Sequence, residues 1–271
     1  MKVHALCRVP SHPLTLILSP FQGERVERGG TEWKGKNFMS LSAQGKQLQD
    51  LLGLKLPPVA MAFRDSPPPG IPRIEAAAAS GCMYWKLAAE GKTFYTEAAD
   101  HYNCTVGAHT HGVELPPDRA KELQELVGTM VGLEYIKMEE VARLPRRTEP
   151  FKVAVYAPLA EASFEPDLVF VRGNARQMML VAEAAQAVGI GHEGAAMGRP
   201  ACAMIPETLR SGRGTTSLGC IGNRVYTGLG DEELYFSIPG SKIAAVVEKL
   251  ATILKANREL EKFHRARAGS V

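Results

Sequence analysis

One ordered series of segments occurs twice in this chain, and that recurrence limits the fold more than any other feature. Residues 58–63 (Pro-Val-Ala-Met-Ala-Phe) read as a buried strand. A proline-rich turn follows, then a helix over residues 82–91 that starts at Cys82 and stops at Gly91, a strand over 93–96, and a turn at Cys104-Thr105-Val106-Gly107. The second series places a strand at 166–171, a helix at 202–210 that starts at Cys202, a strand at 214–218, and a turn at Gly219-Cys220-Ile221-Gly222. Each closes on a proline and an amphipathic helix: Leu115-Pro116 before residues 119–131, and Ile238-Pro239 before residues 242–254. The intervals differ, with 21 residues between Cys82 and Cys104 and 17 between Cys202 and Cys220, but the order holds. Self-similarity of this kind predicts an internally duplicated α/β core, with two related halves (56–131 and 166–254) packed about a pseudo-twofold axis. Equivalent positions meet near such an axis, so four cysteines far apart in sequence are expected to converge on one ligand.

The rest of the chain fits this reading. Residues 151–156 and 167–171 are strands, and residues 174–188 form a helix apolar nearly all round that stops at Gly189. Ile243, Val246, Val247, Leu250, Ile253 and Leu254 lie at helical spacing and read as core. Residues 1–38 show no period, and residues 13–25 resemble the translated product of a dispersed genomic repeat. This segment, with Cys7, is expected to lie outside the fold, and residues 39–271 are expected to form a single domain.

Composition excludes several classes. The formal net charge is only +3, and the one dense basic cluster, Arg258 to Arg267, also carries Glu259 and Glu261, so it reads as a solvated helix end and not a nucleic-acid footprint. No run of about 18 apolar residues is present to span a membrane. Five cysteines without close spacing and no secretory pattern suit a reducing cytoplasm.

Pro57-Pro58-Val59-Ala60, Cys82, Cys104 before glycine, Tyr156-Ala157-Pro158-Leu159, Pro166-Asp167-Leu168-Val169, Cys202, Ser217-Leu218-Gly219-Cys220-Ile221-Gly222-Asn223-Arg224, Asp231-Glu232-Glu233 and Ile238-Pro239 together carry a resemblance. Over residues 39–255 the chain resembles the prokaryotic domain of unknown function 169 family (DUF169). The resemblance implies a bacterial and archaeal distribution and brings no reaction with it, so function has to be argued from the residues.

Four thiolates suit tetrahedral zinc or an iron–sulfur cluster. The tight Cys-x-x-Cys knuckle of structural zinc is absent, which favours an iron–sulfur cluster on Cys82, Cys104, Cys202 and Cys220, with zinc or no metal as the alternatives. Gly107, Gly219 and Gly222 would let backbone N–H groups approach sulfur. Cys82 and Cys202, at helix starts, are expected to be thiolates even before metal binds. The competing readings are redox-active thiols and small buried cysteines that only fill the core.

His101, Cys104, His109 and His111 offer an alternative metal set within eleven residues. His192, in a glycine-rich loop, is a candidate acid or base. Arg172 and Asn174, at a strand-to-helix junction, are candidate substrate contacts, although Asn174 also reads as a helix cap. Trp85 and Tyr84 read as core aromatics. No Ser-His-Asp order, Walker loop or paired-carboxylate motif is present to assign an enzyme class. The expectation is a cytoplasmic, cysteine-ligated metal or iron–sulfur protein with a redox role and a small-molecule or redox partner, the alternatives being a binding module without catalysis and a thiol oxidoreductase.

Overall fold

The computed structural model describes residues 39–191 and 200–269, which belong to one compact unit spanning residues 38–271. The expectations for residues 1–38 and for His192 lie outside the described residues.

In chain order the elements are α1 (Leu41–Leu52), β1 (Val59–Arg64), α2 (Cys82–Ala89), β2 (Phe94–Glu97), α3 (Thr105–His111), α4 (Pro117–Gly132), α5 (Met138–Ala142) and β3 (Val153–Pro158). They continue with β4 (Leu168–Asn174), α6 (Ala175–Ala187), α7 (Met204–Ser211), β5 (Thr215–Ser217), α8 (Ile221–Thr227), β6 (Glu233–Pro239) and α9 (Ile243–Ala268). The six strands form one sheet in the order β2-β3-β1-β4-β6-β5, with every neighbouring pair antiparallel. At its centre β1 pairs with β4 in the register Val59↔Phe170, Ala60↔Val169, Met61↔Leu168. Outward from β1 lie β3 and β2, and outward from β4 lie β6 and β5. After β3 the Leu159 N–H donates to Pro58 O at 2.7 Å, and after β6 the Gly240 N–H donates to Asp167 O at 2.8 Å.

Side-chain alternation along the strands builds two cores. Ala60, Ala62, Val153, Val155, Val169 and Val171 meet Leu48 of α1, Val181 of α6 and Val247 of α9 on one face. Val59, Met61, Tyr156, Leu168 and Phe170 meet Tyr84 and Trp85 of α2 and Met204 and Ile205 of α7 on the other. Because both faces are covered, the strands are continuous apolar runs; sequence pattern alone cannot tell them from parallel strands, although the sheet is antiparallel. Trp85, only 2 % exposed, stacks on Phe170 at 4.7 Å, so the reading of Tyr84 and Trp85 as core aromatics holds.

Three expectations change. The turns expected at Cys104 and Cys220 are the N-termini of the short helices α3 and α8, so the second cysteine of each pair also opens a helix. Residues 233–239, where no strand was expected, form β6. The two amphipathic helices after the prolines also differ: α9 buries Ile243, Val246, Val247 and Leu250 against the sheet, whereas α4 buries none of its residues.

Candidate functional site

The helices on the α2 side of the sheet carry the four cysteines. Cys82 is the first residue of α2, Cys104 is the N-cap of α3, Cys202 lies in the single 3-10 turn Ala201–Ala203 that leads into α7, and Cys220 is the N-cap of α8. All four line one cavity of about 530 Å³, and all four are free thiols. The Ser80 hydroxyl lies 3.1 Å from the Cys82 sulfur and donates to the Cys104 sulfur at 3.6 Å, so one oxygen bridges the two. The Asn223 N–H donates to the Cys220 sulfur at 3.5 Å. A Cβ on Gly107 would stand 2.8 Å from the Cys104 sulfur, so only glycine leaves room for that thiol. Gly219 and Gly222 lie in the same stretch as Cys220, and Gly219 has φ +76, a conformation that favours glycine.

The protonation expectation is reversed. Burial pushes the Cys82 thiol up, against the lowering contacts of Ser80 and Asn223, and the neighbouring Cys104 and Cys220 add to the rise. Burial pushes the Cys202 thiol up strongly, and Cys104, Cys220 and Cys82 push it further. Position at a helix start is worth about 0.3–1 kcal/mol at a surface, which loses to desolvation of a thiolate here. The free protein therefore holds protonated thiols at Cys82 and Cys202.

The histidine set divides. His109 lines the cavity beside Cys104, and burial, reinforced by Arg146, lowers its pKa. His101 and His111 are fully buried and pack on each other at 5.3 Å between ring centroids. His101 Nε2 is 2.9 Å from the Thr96 hydroxyl, and His111 Nδ1 donates to Gly107 O at 2.5 Å. The second ring nitrogen of each has no partner. Among the described residues, no three His, Cys, Asp or Glu side chains are drawn together tightly enough to form a ready-made site for one metal ion.

Arg172 and Asn174 lie elsewhere. Arg172 forms a salt bridge with Glu233 at 2.5 Å and donates to the carbonyls of Thr227 and Gly228. Burial works to raise the Glu233 carboxyl, but Arg172 and the Gly230 N–H outweigh it and hold the pKa below its usual value. Asn174 caps α6 by accepting from the Gln177 N–H at 2.9 Å. The two residues border a cleft of only about 80 Å³, separate from the cysteine cavity.

Three contributors to the cavity were not singled out in the sequence. Ser80 sits two residues before Cys82. Asn223, 1 % exposed, lies three residues after Cys220; it leans on the Cys82 sulfur and the Tyr235 hydroxyl closely enough to lower both pKa values, yet with hydrogen-bond geometry to neither, and both polar atoms of its amide are unpartnered. The third is α4, whose Leu123, Leu126, Val127 and Met130 form the apolar wall opposite the sulfurs. Residues 119–131 were legible as an amphipathic helix, but the spacing did not show what its apolar face would meet.

Comparison with known proteins gives a family and no activity. The sequence model of DUF169, described as "Uncharacterised ArCR", matches residues 47–249. The "Uncharacterized protein MJ0308" of Methanocaldococcus jannaschii is 28 % identical over 221 residues, covering 76 % of this chain and 91 % of its own. No solved structure matches the chain.

Proposed function

The chain belongs to the DUF169 family, and from that premise we propose that it carries a cysteine-ligated metal centre, an iron–sulfur cluster, on Cys82, Cys104, Cys202 and Cys220. The observation that carries this reading is the convergence of four free cysteines from four separate helix starts on one cavity. The donor set fits a thiolate-bound group. Gly107 leaves the Cys104 sulfur unobstructed, and Ser80 and the Asn223 N–H offer donors to three of the four sulfurs. Thiolates placed around a cluster are spread more widely than around a single ion, which accords with the lack of a tight three-ligand group among the described residues. When bound, such a cluster would supply electron transfer or a Lewis-acidic iron. The protein's own part is to give up the raised thiol protons as metal binds.

The sheet order supports the duplication as part of the same proposal. β1, β3 and β2 on one side of the central pair correspond to β4, β6 and β5 on the other, and each half supplies one cysteine after its first strand and one just after its second. Reduced thiols accord with a reducing cytoplasm. Among the described residues no helix is long and apolar enough to cross a membrane.

Anaerobic purification followed by iron, zinc and acid-labile sulfide analysis tests the reading. Brown protein with stoichiometric iron and sulfide is expected, and Cys220→Ser should lose both. Wild-type protein prepared the same way that has all five of its thiols reduced and contains no metal would sink it. A thiol oxidoreductase would instead show a reversible Cys82–Cys104 or Cys202–Cys220 bridge, but the raised thiol pKa values weigh against that chemistry.

A further inference from the structure

The cavity is larger and more apolar than four sulfurs require. Leu123, Leu126, Val127 and Met130 form one helical stripe that would ordinarily bury itself in a core, yet α4 has no buried residue and turns this stripe towards the cavity. A volume of about 530 Å³ falls within the roughly 300–1,000 Å³ typical of small-molecule sites, which combine apolar walls with a few fixed polar groups. One such group is present. Asn223 is 1 % exposed, lines the cavity, and has neither amide donor nor amide acceptor satisfied. A buried amide left unpaired is destabilising, so its retention in the wall points to a partner that arrives from the cavity.

We propose that the space between α4 and the sulfurs binds an uncharged, mainly apolar small molecule bearing an amide that donates to or accepts from the Asn223 amide. No lysine or arginine among the described residues lines the cavity to hold an anion, and its two carboxylates already have partners: Glu122 accepts from Arg119 at 2.7 Å and Glu140 from the Lys137 N–H at 2.9 Å. The placement of the ligand beside the sulfurs rests on the metal-centre reading, whereas the binding itself depends only on the cavity.

Acetanilide and n-propylbenzene, matched in size with and without an amide, are suitable probes. Each is titrated by ligand-observed NMR against metal-free and anaerobically loaded protein, with iron and sulfide measured on the same samples. Wild type should bind acetanilide more tightly than n-propylbenzene. Asn223→Leu should weaken acetanilide about tenfold and spare n-propylbenzene, and Leu126→Asp, at a 40 % exposed rim position, should weaken both. The proposal is overturned if wild type binds neither probe, or if folded Asn223→Leu binds acetanilide as wild type does. Should Asn223→Leu fail to fold, Leu126→Asp decides, and unchanged binding there overturns the proposal. Metal-free wild type that binds acetanilide but never takes up iron removes the metal reading alone. Iron-loaded protein that binds neither probe removes the ligand site alone.

Discussion

Gly107 is the residue on which the cavity is most finely balanced. Its missing Cβ is the space that the Cys104 sulfur occupies, at 2.8 Å, and α3 holds both residues in its first turn. Gly107→Ala should displace that sulfur, lowering metal content and costing about 1–3 kcal/mol of stability by overpacking, read by iron analysis and thermal melting. Full metal occupancy in a stable variant would show that Cys104 is not a ligand. The buried imidazoles give a second residue-level expectation. Burial, assisted by His111, takes His101 down to about 3, and burial also takes His111 down to about 4, with Arg147 assisting and the Gly107 carbonyl opposing. Both pKa values lie below the unfolded value, so the unfolded chain gains protons first as pH falls below about 6.5, and stability is lost down to about pH 3–4. A loss on the order of a few kcal/mol between pH 7 and 4 should appear in urea melts, and His111→Phe should shrink it. The four cysteines were legible because thiols are scarce and recur in order. Their protonation was not, because burial of Cys202 is a property of the folded surroundings, and Asn223, quoted only within the family motif, gave no sign of its burial for the same reason.

At the scale of elements, long segments read well and short ones did not. α1 and α6 have clear start signals and α1 a clear stop: Ser40 accepts from the Ala43 N–H at 3.2 Å, Gly53 ends α1 at φ 61, and Asn174 forms a capping box with Gln177. α3 and α8 have only seven residues each, too few for a helical period to emerge beside their glycines, and so they looked like turns. β6 begins at Glu233 after two acidic residues and ends on Pro239, which masks its apolar centre. One tight junction between elements is that of α1 with the turn after β3, where a Cβ on Gly45 would lie 2.5 Å from the backbone N of Ala160. Gly45→Ala should therefore push α1 outward and lower stability by about 1–3 kcal/mol in denaturant melts. Metal content should stay at the wild-type level, because α1 packs on the sheet face opposite the cysteines. A simultaneous loss of metal would show that the two faces are coupled through the sheet.

For the whole molecule, the fold class was readable but the strand directions were not, since covered strands look alike whichever way they run. If the two halves are related as proposed, Cys104 and Cys220 are equivalent, and Cys104→Ser and Cys220→Ser should lower metal content and melting temperature to the same extent. Unequal losses, with one variant retaining the centre, would argue for three ligands and a spare thiol. The β1–β4 pairing has a further consequence, for synthesis. Both strands that flank Val59, Ala60 and Met61 are made late: β3 begins at Val153, about ninety residues after β1, and β4 follows at Leu168. Until residues 168–170 emerge, the nascent chain presents an open, apolar strand edge to its neighbours on the polysome, and slow or crowded translation should favour aggregation over folding.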